Sequence, residues 1–161
     1  MASQNMSVEG SLKDAVSNAQ ESWGRGVVHI GAAGTWDEAY RRASDFVQSH
    51  YVGLEGSLLF CPTKAAEHQF RPTLKDAVSY FVGGDSDHPE DHGFALEPWV
   101  NVRFENAGIF SDSGLVLAMG NYFFKTQAGN EVKVEYTFAY EQNEGGKLGV
   151  RLHHSALPFS G

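Results

Sequence analysis

Four alternating runs in the C-terminal half, cut by three short turns, constrain the fold of this chain more than any other feature. They span residues 99–110, 115–125, 131–142 and 147–155, and the strings between them are DSG, QAGN and NEGG. Runs rich in β-branched and aromatic residues, bounded by Gly, Asn and Asp that tolerate tight turns, are the signature of β-hairpins. The four runs therefore read as an antiparallel meander.

The last run, KLGVRLHHSALP over 147–158, carries two adjacent histidines and a serine. Side chains on a strand alternate between faces, so Arg151, His153 and Ser155 should point one way and Val150, Leu152 and His154 the other. Two histidines on opposite faces cannot easily share one metal. With each turn centred on two residues, Phe104 falls opposite Asn121, Asn121 opposite Tyr136 and Tyr136 opposite His153. One face then gathers Val102, Phe104, Asn106, Met119, Asn121, Phe123, Val134, Tyr136, Phe138, Arg151, His153 and Ser155. A mostly apolar lining with a few polar groups is the make-up of a small-molecule pocket. The opposite face, with Arg103, Glu105, Tyr122, Lys133, Glu135, Thr137 and His154, suits solvent or a second subunit, and a homodimer is expected.

The N-terminal half reads as helices that cover this sheet. Leu12, Val16, Ala19, Trp23, Val27 and Ile30 recur at steps of three and four, with Ser11 and Asp14 resembling a helix start. Gly24 and Gly26 inside that stripe imply a bend or close packing. Thr35 with Glu38, and Thr73 with Asp76, repeat the capping logic before a second and a third helix. Between them lie a short strand over 57–61 closed by Pro62, a helical turn after Thr63, and an extended piece over 69–71. Residues 83–93, GGDSDHPEDHG, form a polar loop that lacks the glycine and glutamate spacing of a calcium-binding loop. Helices first and a meander after give an α+β class.

At 161 residues with 42% apolar content, the chain reads as a single domain, 1–161, with 1–10 a disordered or loosely held N-terminal segment. No run approaches the roughly 20 apolar residues of a membrane span, and the first residues lack a secretory signal. The expected compartment is the cytoplasm, or a plastid stroma if a transit peptide has been removed. A net charge of −8 argues against nucleic acid as a partner, and neither nucleic acid nor membrane is expected. A single cysteine, Cys61, excludes an internal disulfide and a multi-cysteine metal site. There is no HExxH, no Walker loop, no serine elbow and no dinucleotide fingerprint.

Several strings taken in order, LLFCPT, QFRPT, SYFVGG, GFALEPWVNVRFENAG, MGNYFF, VKVEYTF and LHHSALP, resemble the iota-class carbonic anhydrases. These are related to the association domain of calcium/calmodulin-dependent kinase and share the cone-shaped nuclear transport factor two-like fold, in which N-terminal helices pack on a curved, mainly antiparallel sheet. The match covers nearly all of 58–158. One departure is Ala156, where the family commonly has a second serine. The resemblance implies reversible hydration of carbon dioxide to bicarbonate, with carbon dioxide and bicarbonate as the partners and no metal or cofactor. It places Thr63, Tyr80 and Ser155 as catalytic residues. His153, Tyr136, Asn121 and Arg151 are then candidates for a proton shuttle or for groups behind the site, and Phe104, Phe123 and Phe138 for its hydrophobic wall. Taken alone, Thr63 reads as a helix cap and Tyr80 as a core tyrosine. The alternatives are a non-catalytic oligomerisation or small-ligand-binding module of the same fold, and a zinc- or manganese-dependent carbonic anhydrase.

Overall fold

The structure, a computed structural model, describes residues 2–161, with side chains from residue 10 onward. Three helices, α1 (Ala2–Gly31), α2 (Trp36–His50) and α3 (Leu74–Val82), pack on a five-stranded sheet. Its strands are β1 (Leu59–Cys61), β2 (Trp99–Asp112), β3 (Leu115–Thr126), β4 (Glu131–Gln142) and β5 (Leu148–Ala156), in spatial order β1-β5-β4-β3-β2. The last four form the expected antiparallel meander, and β1 adds to β5 in parallel. The α+β class therefore stands. The expected loose segment over 1–10 overlaps α1, whose backbone is described from Ala2, while Met1 and the side chains of 2–9 lie outside the described residues.

Both threonine caps form. Thr35 accepts the Glu38 N–H at 3.1 Å and Thr73 the Asp76 N–H at 3.2 Å, satisfying donors that a helix start leaves open. The helix start expected at Ser11 does not form there, because α1 already runs from Ala2. Gly24 and Gly26 serve close packing: a Cβ on Gly24 would stand 3.1 Å from the Val102 Cβ, and one on Gly26 2.3 Å from the Phe46 ring. This lets α1 lie against β2 and α2 with its buried stripe of Val16, Trp23, Val27 and Ile30 inward.

The segment after Thr63 is not helical. The N–H groups of Ala66, Glu67 and His68 instead converge on the Glu90 carboxylate, at 2.6 Å from Ala66 and 2.7 Å from His68. An isolated helical turn is marginal, and an anion bound by successive N–H groups replaces it. The piece at 69–71 is not a strand either. Arg71 leaves the sheet after donating its N–H to the Phe60 carbonyl at 2.8 Å.

The hairpin registers correct the expected faces. The first turn is Ser113–Gly114, both at positive φ, and an extra residue at Ala107 shifts the β2–β3 pairing so that Phe104 faces Tyr122. Gly120 permits this bulge, since a Cβ there would lie 2.2 Å from the Glu105 carbonyl oxygen. The β3–β4 loop moves the next register by one as well, pairing Tyr122 with Val134. The two slips cancel for β4 and leave only β3 inverted. Val116, Ala118, Tyr122 and Phe124 thus point inward, whereas Met119, Asn121 and Phe123 point outward. A second bulge at Arg151, between the pairs Ala139–Leu152 and Tyr140–Val150, turns Val150 inward and Arg151 away.

Candidate active site

Three separate segments meet at one end of the sheet. The parallel register sets Phe60 against His153 and Cys61 against His154, and Pro62 ends β1 because it has no N–H for the ladder. The chain then carries Thr63 beside Ser155, Oγ1 to Oγ 2.5 Å. Tyr80 arrives from α3, where its phenol oxygen accepts the Lys64 N–H at 3.3 Å. Thr63, Tyr80 and Ser155 line the same cavity of about 10 Å³, about the size that admits one water molecule. The three expected catalytic residues are brought together.

The sequence reading placed Tyr122 on the wrong face. Its phenol is bonded to the Ser155 hydroxyl and lies 3.1 Å from His153 Nε2. On the other side of that ring, Nδ1 stands 2.9 Å from the Tyr51 hydroxyl, which accepts the Trp23 indole N–H at 3.0 Å. The signal for Tyr122 was a tyrosine flanked by residues of opposite polarity in MGNYFF, and it was lost to the one-residue slip. Tyr51 and Trp23 carried no motif at all.

Of the expected wall, Phe138 packs on the imidazole with ring centres 4.4 Å apart, and Phe104 packs on Trp23 and Tyr122. Phe123 is on the outer face under the Arg103 guanidinium, 3.9 Å from its carbon. Asn121 is outside too, paired with Glu135 across the sheet. Arg151 binds Glu141 and Ser57, away from the cavity. Tyr136 is inside, but its hydroxyl is held by Gln20 and Asn106 and meets none of the three catalytic candidates. Both bulge and slip put these residues where simple alternation does not.

Burial sets the charge states. It raises Tyr80 and Tyr122 far above the ordinary phenol value, against the opposing hydrogen bonds of the Lys64 N–H at Tyr80 and of Ser155 at Tyr122. It pushes the His153 imidazole well below the ordinary histidine value, and His154 beside it adds to that. At neutral pH every group in the cluster is uncharged. The expectation of a shuttle rested on an ordinary imidazole value, which this ring does not have. Among the described residues, no group of three or more His, Cys, Asp or Glu is placed to hold a metal.

Outside Tyr80 lies a wider vestibule of about 300 Å³, lined by Lys64, Glu90, His92 and Glu97. Tyr80 borders both spaces. The loop that forms the vestibule is fixed by Asp91, whose carboxylate takes two bonds from Arg71 at 2.7 Å and one from Ser79 at 2.5 Å.

A family model described as metal-independent carbonic anhydrase matches residues 14–157 of this chain. The chain belongs to that family. A metal-independent carbonic anhydrase of Nostoc sp. is 36% identical over 147 residues, covering 88% of this chain and 71% of its own length. The crystal structure of a cyanobacterial iota-carbonic anhydrase complexed with bicarbonate superposes with a TM-score of 0.88 at 34% identity, over 92% of this chain and 93% of that one. A nuclear transport factor 2-like protein of Salmonella enterica shares the fold, with a TM-score of 0.55 at 8% identity over 94% of each chain. The resemblance carried by the separate strings is thereby established, and this carbonic anhydrase has the carbonate dehydratase activity of its family.

Proposed function

We propose that this carbonic anhydrase hydrates carbon dioxide without a metal by presenting neutral hydroxyl donors to the oxygen atoms of the forming bicarbonate. Thr63 and Tyr80 hold those oxygens, Ser155 orients Thr63, and the rings around His153 keep the cavity dry. One observation carries this reading: Thr63, Tyr80 and Ser155 come from three segments and line one water-sized space. Bicarbonate, the ligand of the cyanobacterial structure, is the product read for this chain.

The energetics decide which effects the protein must use. Zinc lowers the pKa of its water from about 15.7 to about 7, roughly 12 kcal/mol at about 1.4 kcal/mol per unit. A single hydroxyl bond, worth about 0.5–1.5 kcal/mol net, does not replace that. Donors fixed in a dry site are worth more, roughly 2.7–4 kcal/mol each when charge develops against them. Orientation of water against the carbon adds to this. As the water oxygen bonds to carbon, one C=O pair moves onto oxygen and is met by the Thr63 and Tyr80 hydroxyls. The water proton passes to a solvent water on the vestibule side of Tyr80, where His92 and Glu97 are exposed. The buried His153 ring stays neutral and stands behind Tyr122 as part of the scaffold. Turnover slower than that of a zinc enzyme follows.

Stopped-flow carbon dioxide hydration on chelator-treated protein tests the proposal. Activity should survive chelation and fall at least a hundredfold in Ser155→Ala and Thr63→Val. Full activity in both variants would refute it.

The finer reading of a homodimer rests on the outer sheet face, where Leu59, Phe110 and Met119 are 58, 62 and 54% exposed. Large apolar patches on a sheet face favour a protein partner over water, and a second copy of this chain is the partner proposed. Sedimentation of wild type and Met119→Lys checks it, with a monomeric wild type as the contrary result.

A further inference from the structure

The geometry points to Trp23 and Tyr51 as positioning residues that fix the direction of the hydrogen bonds running from the buried end of the site out to Thr63. The indole N–H of Trp23 can only donate, and it donates to the Tyr51 oxygen at 3.0 Å. Tyr51 is 3% exposed, and its one remaining partner is His153 Nδ1 at 2.9 Å. A buried hydroxyl hydrogen needs an acceptor, so the Tyr51 O–H donates to Nδ1. A neutral imidazole whose Nδ1 accepts carries its proton on Nε2.

The same accounting continues outward. His153 Nε2–H donates to the Tyr122 oxygen, 3.1 Å away. Tyr122, having accepted, gives its own hydrogen to Ser155, the other partner of its phenol. Ser155 in turn donates to Thr63 Oγ1 at 2.5 Å. The Thr63 hydrogen is the first one left over, and it is released at the cavity. Tyr80 ends in the same state by a separate route, since its oxygen accepts the Lys64 N–H and its hydrogen is free for the cavity.

Reversal is blocked at the closed end. If Nδ1 carried the proton instead, the Tyr51 oxygen would accept twice and its buried O–H would point at nothing. Every hydroxyl down the line would then be free to turn, and Ser155 and Thr63 would no longer be held as donors toward an oxyanion. Only the kinetic consequence of this inference rests on the reading of Thr63 and Tyr80 as bicarbonate donors. The tautomer does not.

Two-bond nitrogen–proton correlation spectra of protein with 15N-labelled histidine, assigned by Phe substitution at His153, test it. The resting wild-type enzyme should show a bare Nδ1 and a protonated Nε2 at His153. In Tyr51→Phe the bare-Nδ1 signature should give way to a mixture or the other tautomer, while kcat falls roughly tenfold, the scale of one hydrogen bond. Trp23→Phe should shift the signature in the same sense. A protonated Nδ1 in folded wild-type protein overturns the inference without touching the donor reading. An Nε2–H tautomer that persists unchanged in folded Tyr51→Phe removes the positioning role.

Discussion

Two buried polar clusters flank α3, and they differ in whether their hydrogen bonds close on themselves. On one side, the fully buried Arg71 and Asp91 side chains satisfy each other together with Ser79 and the His68 and Asp76 carbonyls. On the other, the line through His153, Tyr122 and Ser155 ends at Thr63 with a hydrogen to spare. Successive residues of the helix face the two, Ser79 bonded into the first and Tyr80 lining the cavity at which the second ends. The difference teaches how to tell structure from chemistry in a site without charge. A closed network fixes a loop, whereas an open one offers its last group to a substrate.

Breaking the closed cluster should give the largest effect, and it should be on stability. Arg71→Met strips the buried Asp91 carboxyl of both its guanidinium bonds, and the expected loss is about 3–5 kcal/mol, read by urea denaturation. On the proposed mechanism, breaking the open line should instead spare the fold and remove the activity. Thr63→Val should lower kcat by roughly a hundred- to a thousandfold, about 2.7–4 kcal/mol in the barrier, with a small change in melting temperature. Tyr80→Phe removes one free donor but leaves the ring, and its activity loss should be of the same order or smaller. Tyr136 sharpens the contrast, since its hydroxyl belongs to a network with Gln20 and Asn106 that avoids the cavity. Tyr136→Phe should cost about 1 kcal/mol of stability and leave hydration rates within about twofold.

The smallest effect concerns the vestibule loop in acid. The N–H groups of His68 and Ala66 hold the Glu90 carboxylate down to about 2, below the ordinary 4.5. A group with a lowered folded pKa contributes stability above its unfolded value and loses it as pH falls through the folded one. The attachment should therefore be complete above about pH 4.5 and fade only toward about 2. Amide exchange at Ala66 and His68 across that window reads it directly.

The strands, the two threonine caps and the α+β class were legible because each rests on local spacing. Strand faces were legible only as far as the turns were. One bulge at Ala107 and one loop length were enough to hide Tyr122 and to promote Asn121 and Phe123. A bulge at Arg151 did the same for that residue while sparing His153 and Ser155. Such features depend on tertiary packing, as at Gly120 beneath the Glu105 carbonyl, and no short string announces them. Thr63, Tyr80 and Ser155 were named through the family strings. Trp23 and Tyr51 look like ordinary core aromatics until a donor-only indole is seen to begin the line.

Exchange of oxygen-18 between labelled carbon dioxide and water, followed by mass spectrometry with the metal content of the same sample assayed, addresses the hydroxyl mechanism most directly. In chelated wild-type protein the label should be lost at the rate seen before chelation, and in Ser155→Ala that loss should collapse toward the uncatalysed rate. A rate that tracks the metal content and is indifferent to Ser155 would contradict the whole account.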